Sequence, residues 1–279
     1  MSSAKSGAGS LYLVSTPIGN LGDMSYRAVE VLSSTALVIA EDTRHSRRLL
    51  DHYRITTPLA SYHEHNEAKE TPKLVARLRT GDSIALISDA GTPLISDPGS
   101  RLVSAALDAG IPVVPIPGPS SVMAALVGSG MSLERFIFFG FLPRKGKERA
   151  QLIGEILSSR STVVLFEAPN RVGGTLEALA AAGAAERPAV VARELTKQFE
   201  EFKRGSVGEL ATLYSDADPK GEVVLVIAGA AEPPVSEAEL NDAAQKLRAS
   251  GKRPREVMDH LVGALGAPRN LAYRIAHEA

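Results

Sequence analysis

The stretch Ile84-Ala-Leu-Ile-Ser-Asp-Ala-Gly-Thr-Pro-Leu-Ile-Ser-Asp-Pro-Gly-Ser100 changes character twice. It opens as a short apolar run, which suits a buried strand. It breaks at Ser88-Asp89-Ala90-Gly91-Thr92-Pro93 and again at Ser96-Asp97-Pro98-Gly99. Leu102, Val103, Ala106 and Leu107 then recur at helical spacing. The pattern predicts strand, loop, helix, with the loop at the carboxyl end of the strand, where open α/β sheets bind ligands. Gly91 lets backbone come close to a ligand, and Pro93 stiffens the turn. A plain βα connection would carry the same residues, so the neighbouring stretches decide between the two.

Four more strands precede or follow it in the first half, and polar loops follow them. Leu11–Val14 runs into Ser15-Thr16-Pro17-Ile18-Gly19-Asn20-Leu21-Gly22-Asp23. That loop is neither G-x-G-x-x-G nor a Walker loop, so it indicates no dinucleotide or ATP site. Asp23 or Ser25 can cap the helix that carries Ala28, Val29 and Leu32. Ala36–Ala40 ends in Glu41-Asp42-Thr43-Arg44. Asp42 or Thr43 can cap a helix there, and Arg47 and Arg48 can form a solvated face; the same residues also stand at the expected ligand edge. Leu59–Tyr62 leads into His63-Glu64-His65-Asn66-Glu67. H-x-H without a third ligand at helical spacing is weak evidence for a metal, and substrate contact or capping is the better reading. Val113–Ile116 precedes Pro117-Gly118-Pro119-Ser120-Ser121 and an apolar helix over Val122–Val127. Free N–H groups and hydroxyls at that helix start can cap it or bind a carboxylate ligand. No G-x-S-x-G elbow surrounds the serines, so a Ser-His-Asp hydrolase is not indicated.

The second half repeats the alternation without repeating the sequence. Strands are expected at Phe136–Phe139, Thr162–Phe166, Ala189–Ala192 and Glu222–Ala228, with another at Phe199–Phe202. Ala231-Glu232-Pro233-Pro234 reads as a linker. Helices are expected near Glu237–Arg248, Arg255–Leu265 and Pro268–His277, carrying Lys246, Arg248, Lys252, Arg253, Arg255, Arg269 and Arg274. Such a tail resembles a nucleic-acid-binding helical hairpin, or else a solvated helical cap. The expected organisation is a disordered lead-in over 1–10, an α/β domain over 11–117, a second over 118–231 and a basic helical module over 232–279.

Composition narrows the function classes. The 279 residues are 44% hydrophobic and 23% charged, enough for two buried cores. There is no cysteine, which removes disulfides, thiolate metal sites and cysteine nucleophiles. A net charge of -1 confines any nucleic-acid surface to a local patch. Residues 111–133 carry no charge, but Pro112, Pro115, Pro117 and Pro119 break a helix there, so strand, turn and buried helix are expected instead of a membrane span.

The motifs in order resemble one family. Ser-Thr-Pro-Ile-Gly-Asn-Leu-Gly-Asp, Glu-Asp-Thr-Arg, Tyr-His-Glu-His-Asn-Glu, Ser-Asp-Ala-Gly-Thr-Pro, Pro-Gly-Pro-Ser-Ser, Phe-Glu-Ala-Pro-Asn-Arg and Arg-Glu-Leu-Thr-Lys look like the ribosomal RNA small subunit methyltransferase I group of the tetrapyrrole methylase superfamily. The resemblance implies two α/β domains with S-adenosylmethionine between them, a homodimer, a cytoplasmic location and no membrane. It implies a cytidine ribose 2′-hydroxyl in the decoding region of small-subunit RNA as acceptor, in an assembled or near-assembled particle. Carried over motif by motif, donor contacts fall on Ile18, Asp89, Ala90, Gly91, Thr92, Ile95, Ser120, Ser121, Phe166, Ala168 and Ala228. Asp42, His63 and Glu167 stand at strand ends as candidate bases, Asp42 foremost with Arg44 beside it. Arg44 and Lys197 suit backbone phosphate, as do Lys252, Arg253, Arg255 and Arg269. No metal is required. The first loop departs from the G-x-G-P-G-D pattern of the porphyrin branch, and Gly-Thr-Pro replaces Gly-Asp-Pro. These departures count against a tetrapyrrole or small-molecule acceptor. An inactive ribosome-assembly binding protein is the remaining alternative.

Overall fold

The computed structural model describes residues 7–216, 219–231 and 235–277. They fall into two compact units, Met1–Ala230 and Ala231–Ala279. The first unit holds two five-stranded sheets.

The first sheet contains β1 (Leu11–Val14), β2 (Leu37–Ala40), β3 (Leu59–Ser61), β4 (Ile84–Ile87) and β5 (Val113–Ile116), in the order β3-β2-β4-β1-β5. Every pairing is parallel. Parallel strands are covered on both faces, so they read as continuous apolar runs. Alternate residues serve opposite cores. Leu11, Leu37, Ile39, Ile84 and Leu86 pack with α3 (Glu67–Arg79) and α4 (Ser100–Asp108) through Leu74, Leu78, Leu102 and Ala106. Val14, Val38, Ala40, Ala85 and Ile87 pack with α1 (Tyr26–Ser34) and α2 (Thr43–His52) through Ala28, Leu32 and Leu50. The helices after the adjacent strands β1 and β4 therefore cover opposite faces. This makes the carboxyl ends of β1 and β4 a topological switch point, where α/β sheets open a crevice.

The second sheet contains β6 (Phe136–Phe141), β7 (Thr162–Glu167), β8 (Pro188–Arg193), β9 (Glu201–Ser206) and β10 (Val223–Ile227), in the order β6-β7-β10-β8-β9. Only the β6–β7 pair is parallel; β10 runs antiparallel to β7 and β8. One face packs on α7 (Val172–Leu179) and α8 (Val207–Tyr214). The other packs on α5 (Ser121–Ser129), whose Val122, Ala125 and Leu126 meet Val164, Val190, Val224 and Val226. Ile18 and Ala90, from loops of the first sheet, join that same cluster.

Three expectations change. The strand expected at Phe199–Phe202 is β9, beginning at Glu201 and running to Ser206. Glu194 and Thr196 sit in left-handed backbone and make the turn before it. Its Lys203-Arg204-Gly205-Ser206 half is a polar sheet edge, which hides a strand from hydrophobic patterning. The lead-in expected to be disordered through residue 10 is anchored by Gly9, whose N–H donates to Leu78 O at 2.7 Å, and by Ser10, whose N–H reaches Ser83 Oγ at 3.2 Å. Residues 1–6 of that lead-in, and Glu232 to Pro234 of the expected linker, lie outside the described residues.

The second unit contains α9 (Glu237–Ala249), α10 (Pro254–Gly263) and α11 (Arg269–His277) around Leu240, Ala244, Val257, Leu261, Ala272 and Ile275. Contrary to expectation, its charge is balanced: residues 232–279 hold seven Lys or Arg and seven Asp or Glu. Glu237, Glu239 and Asp242 of α9 offset the cations. Asp242 pairs with Lys246, Glu237 with Arg274, and Glu256 with Lys252.

A buried carboxylate fixes the end of β7. Glu167 is 2% exposed. Its Oε1 accepts from Ala168 N–H at 2.9 Å and lies 3.2 Å from Arg171 Nε; its Oε2 accepts from Thr175 Oγ1 at 2.6 Å. Arg171 and Arg149 extend the network to the carbonyls of Leu142 and Pro143 after β6. Glu167→Ala strands a buried N–H, a hydroxyl and a guanidinium together. We expect a loss of about 3–5 kcal/mol in urea unfolding, the usual cost of breaking a buried pair from one side. A base with no structural duty would leave stability unchanged.

Candidate active site

Three loops of the first sheet are laced together at its carboxyl edge. Thr16 and Gly91 exchange backbone hydrogen bonds, at 2.9 Å and 3.0 Å. Ser15 Oγ and Thr92 Oγ1 lie 3.1 Å apart, and Thr92 Oγ1 donates to Pro119 O at 3.3 Å. Gly91 has φ +79°, and a Cβ there would stand 3.3 Å from Ile18 Cγ2. Only glycine adopts that backbone without strain. Leu94 and Ser96 are also left-handed, with φ of 71° and 66°. Such strain in non-glycine residues persists only where surrounding structure over-determines it.

Below these loops lies a cavity of about 410 Å³. Ile18, Asp89, Ala90, Gly91, Thr92 and Ile95 line it from the first sheet; Ser120 and Ser121 line it from the start of α5; Phe166 and Ala168 line it from the end of β7. These sequence-derived donor positions thus come to one place. Ala228 does not. It follows β10, which runs antiparallel to β7 with Val223 opposite Glu167 and Ile227 opposite Val163. The rule that ligands sit at strand carboxyl ends fails for that strand. Its amino-terminal side, Gly221 to Val224, lines the cavity instead. Ser96, Asp97, Val122, Phe141 and Pro169 also line it and were not foreseen. Asp97 stands in the second break of the opening stretch, where the sequence alone does not tell a loop residue from a cavity-lining one.

The candidate bases are arranged differently from expectation. Asp42 is the N-cap of α2: its Oδ1 accepts from Arg44 N–H at 2.8 Å and His45 N–H at 3.4 Å. The Arg44 N–H, foremost, holds its carboxyl below the usual range. A capped, acidified carboxylate is a weak proton acceptor, and Asp42 is not on the cavity wall. Arg44 is largely exposed, with Nη2 3.5 Å from Asp42. His63, at the end of β3, is also away from the wall; its N–H donates to Asn66 Oδ1 at 2.9 Å and its Nδ1 has no partner among the described residues. Glu167 is on the wall but fully engaged by the network above.

Two acids do feel unusual surroundings. Burial raises the Glu41 carboxyl, and Asp89 nearby raises it further, as do Glu64 and Asp42, while His63 opposes them. Asp97 is pushed up to about 6, chiefly by burial and then by the facing Glu41 and Asp89, while the Ser88 hydroxyl acts the other way. Lys197, expected to be free for phosphate, is engaged: its Nζ lies 2.8 Å from Glu194 and 3.2 Å from Glu222. Burial works against its charge, but those two acids outweigh it and hold the ammonium more firmly. Lys252 is paired with Glu256, whereas Arg253, Arg255 and Arg269 are exposed and in no ion pair among the described residues.

The cavity suits a nucleoside-bearing donor on its own chemistry. Ile18, Ile95, Phe141, Phe166 and Val224 supply apolar wall. Asp89, Thr92 and the hydroxyls of Ser120 and Ser121 supply polar points. Ser120 caps Met123 N–H at 3.4 Å, leaving the first N–H groups of α5 for a ligand carboxylate.

Comparison with known proteins agrees. Residues 10–211 match the model of the Tetrapyrrole (Corrin/Porphyrin) Methylases. A ribosomal RNA small subunit methyltransferase I of Synechocystis sp. is 46% identical over 273 residues, covering 97% of this chain and 98% of its own. The Bacillus subtilis protein of the same name is 43% identical, over 84% of this chain and 80% of its own. Among solved structures, a cobalt precorrin-4 methyltransferase aligns with TM-score 0.60 at 17% identity, over 78% of this chain and 94% of its own. A uroporphyrin-III C-methyltransferase from Thermus thermophilus, complexed with S-adenosylhomocysteine, aligns with TM-score 0.57 at 16% identity, over 79% and 97%. The distant structures share the fold. With a family model matched over most of the chain and relatives above two-fifths identity over four-fifths or more of both chains, the chain belongs to the ribosomal RNA small subunit methyltransferase I family of the tetrapyrrole methylases.

Proposed function

We propose that the chain is an S-adenosylmethionine-dependent methyltransferase of small-subunit ribosomal RNA, acting on the 2′-hydroxyl of a cytidine ribose in the decoding region. The observation that carries this reading is the single cavity gathering the family's donor motifs from both sheets. The donor, when bound, supplies an electrophilic methyl group. Gly91 and Ala90 would approach it with backbone, the start of α5 would take its carboxylate, and Asp89 and Thr92 would meet its hydroxyls. Positioning of this kind can supply much of the rate of an in-line transfer. A tetrapyrrole acceptor is disfavoured, because the porphyrin enzymes resemble this chain only as folds.

An RNA acceptor needs cations near the cavity mouth. Phe141 lines the cavity and is half exposed, and the chain leaves it through Arg144-Lys145-Gly146-Lys147. These three cations are exposed and in no ion pair among the described residues. We assign them phosphate contact, with Arg253, Arg255 and Arg269 of the balanced second unit as further contacts. The substrate would be the assembled or near-assembled particle, which places the protein in the cytoplasm. Among the described residues no helix is long and apolar enough to cross a membrane. A homodimer is supported by the unpaired edge of β6, where Phe136 and Ile137 are over 40% exposed; sedimentation of the full chain as a monomer would contradict it.

The direct test is donor-dependent methylation of small subunits from cells lacking this protein, read by mass spectrometry of RNA digests. One added 2′-O-methyl on a decoding-region cytidine is expected; methylation of free tetrapyrrole alone would refute the reading. Gly91→Val places a branched side chain in left-handed backbone against Ile18. Calorimetry should show donor affinity reduced at least tenfold, and unchanged affinity would remove the loop from the donor site. Neutralising Arg144, Lys145 and Lys147 should weaken particle binding and reduce the logarithmic salt slope by about 2–3, at roughly 0.7–0.9 per lost phosphate contact. Neutralising Lys252, Arg253 and Arg255 should change it less, because Lys252 already faces Glu256.

A further inference from the structure

Among the described residues four carboxylates line the cavity: Asp89, Asp97, Glu167 and Glu222. Three of these each already have a protein partner. Asp89 Oδ1 accepts from Asp42 N–H at 3.1 Å and so fastens the end of β2 to the central loop. Glu167 is surrounded by Ala168, Arg171 and Thr175. Glu222 lies 3.2 Å from Lys197 Nζ. Asp97 alone among them has neither an ion pair nor a backbone donor among the described residues; the nearby Ser88 hydroxyl, which acts against the other influences on it, donates to Ala90 O and Gly91 O.

The segment that carries Asp97 is built to hold it still. Leu94 and Ser96 before it are left-handed, and Gly99 after it has φ +133° with no room for a Cβ, which would stand 2.7 Å from Leu86 Cδ2. Ser96 Oγ lies against Gly140 of β6, where a Cβ would meet it at 3.3 Å. The segment is thus wedged between β4 and the second sheet, with its carboxylate on the wall of the cavity.

We propose that Asp97 is the general base that takes the proton of the ribose 2′-hydroxyl during methyl transfer. This rests on the RNA-methylating reading of the site. The balance is simple. The 2′-oxygen loses its proton to the Asp97 carboxylate and forms the new bond to the methyl carbon. The carbon–sulfur bond breaks, its electron pair stays on sulfur, and the sulfonium charge disappears as the carboxylate becomes neutral. Asp97 then returns its proton to water through the cavity mouth. Its surroundings suit that task. Burial and the facing Glu41 and Asp89 make it a stronger base than an ordinary aspartate, near about 6, yet leave it mostly ionised at neutral pH. Glu41 is in turn faced by Asp89, Glu64 and Asp42, which raise it, while His63 opposes them.

The same surroundings separate catalysis from a structural role. An aspartate whose folded pKa lies above its unfolded value contributes stability below about pH 4, and this is lost as pH rises through about 6. At pH 8 the ionised side chain is a net burden on the fold. Asp97→Asn keeps the shape and removes the charge. The full-length variant should therefore melt at or above the wild type at pH 8, with the advantage shrinking toward pH 4. Its methylation of small subunits should fall by about two to four orders of magnitude. The acid limb of the wild-type kcat/KM profile, near about pH 6, should disappear. Donor affinity by calorimetry should stay within threefold. Asp97→Glu should restore part of the rate and the acid limb. A rate loss under tenfold, an intact limb in the Asn variant, or a variant that melts below wild type at pH 8 overturns the proposal. An inactive wild-type chain overturns the proposed function, and this base assignment with it; an active wild type with an active Asn variant overturns the base alone.

Discussion

The two hydrogen bonds exchanged by Thr16 and Gly91 are the constraint on which the rest of the site depends. They join loops after the neighbouring strands β1 and β4, at the point where the covering helices change faces. Because the loops are joined, Ile18 and Ala90 can lean away from their own sheet into the core beneath α5. That core also contains Val164, Val190 and Val224 of the second sheet. The cavity therefore has a rigid floor shared by both sheets, and its shape follows from packing on each side. A ligand meeting this wall meets backbone at Gly91 and side chains from six separate chain segments.

Function and stability pull against each other along the central loop. Left-handed backbone at Leu94 and Ser96 costs energy, and carboxylates at Glu41, Asp89 and Asp97 repel one another in partly dry surroundings. Such features survive when the surrounding core over-determines them. Here the buried strand β4 runs directly into the loop, and Leu86 fills the space that a side chain on residue 99 would need. Glu167 shows the opposite arrangement: a buried acid whose every neighbour donates to it, and which therefore steadies the far wall.

Much of this was legible in the sequence, for physical reasons that also explain what was not. The parallel strands of the first sheet are apolar on both faces and end in glycine, proline and small polar residues, so strands and loops could be read directly. The motif order identified the family, and with it most of the cavity wall. Ala228 was misplaced because hydrophobic patterning does not carry strand direction, and β10 runs antiparallel to its neighbours. The polar half of β9 was missed because an edge strand need not be apolar on both faces. Asp42 and Asp97 both stand beside a turn at a strand end; which of them caps a helix and which faces the cavity depends on contacts far apart in the chain. The second unit reads as basic from a run of cations, while the acids that pair with them lie on α9 and α10.

The central claim is that one cavity, built from the central loop, the start of α5, the end of β7 and the beginning of β10, holds the methyl donor. Hydrogen exchange of the full chain with and without saturating S-adenosylhomocysteine tests it most directly. The account predicts slowed exchange together at residues 88–97, 120–122, 166–169 and 221–224, with little change along α9 to α11. Protection confined to the first sheet, or found mainly in the second unit, would contradict it.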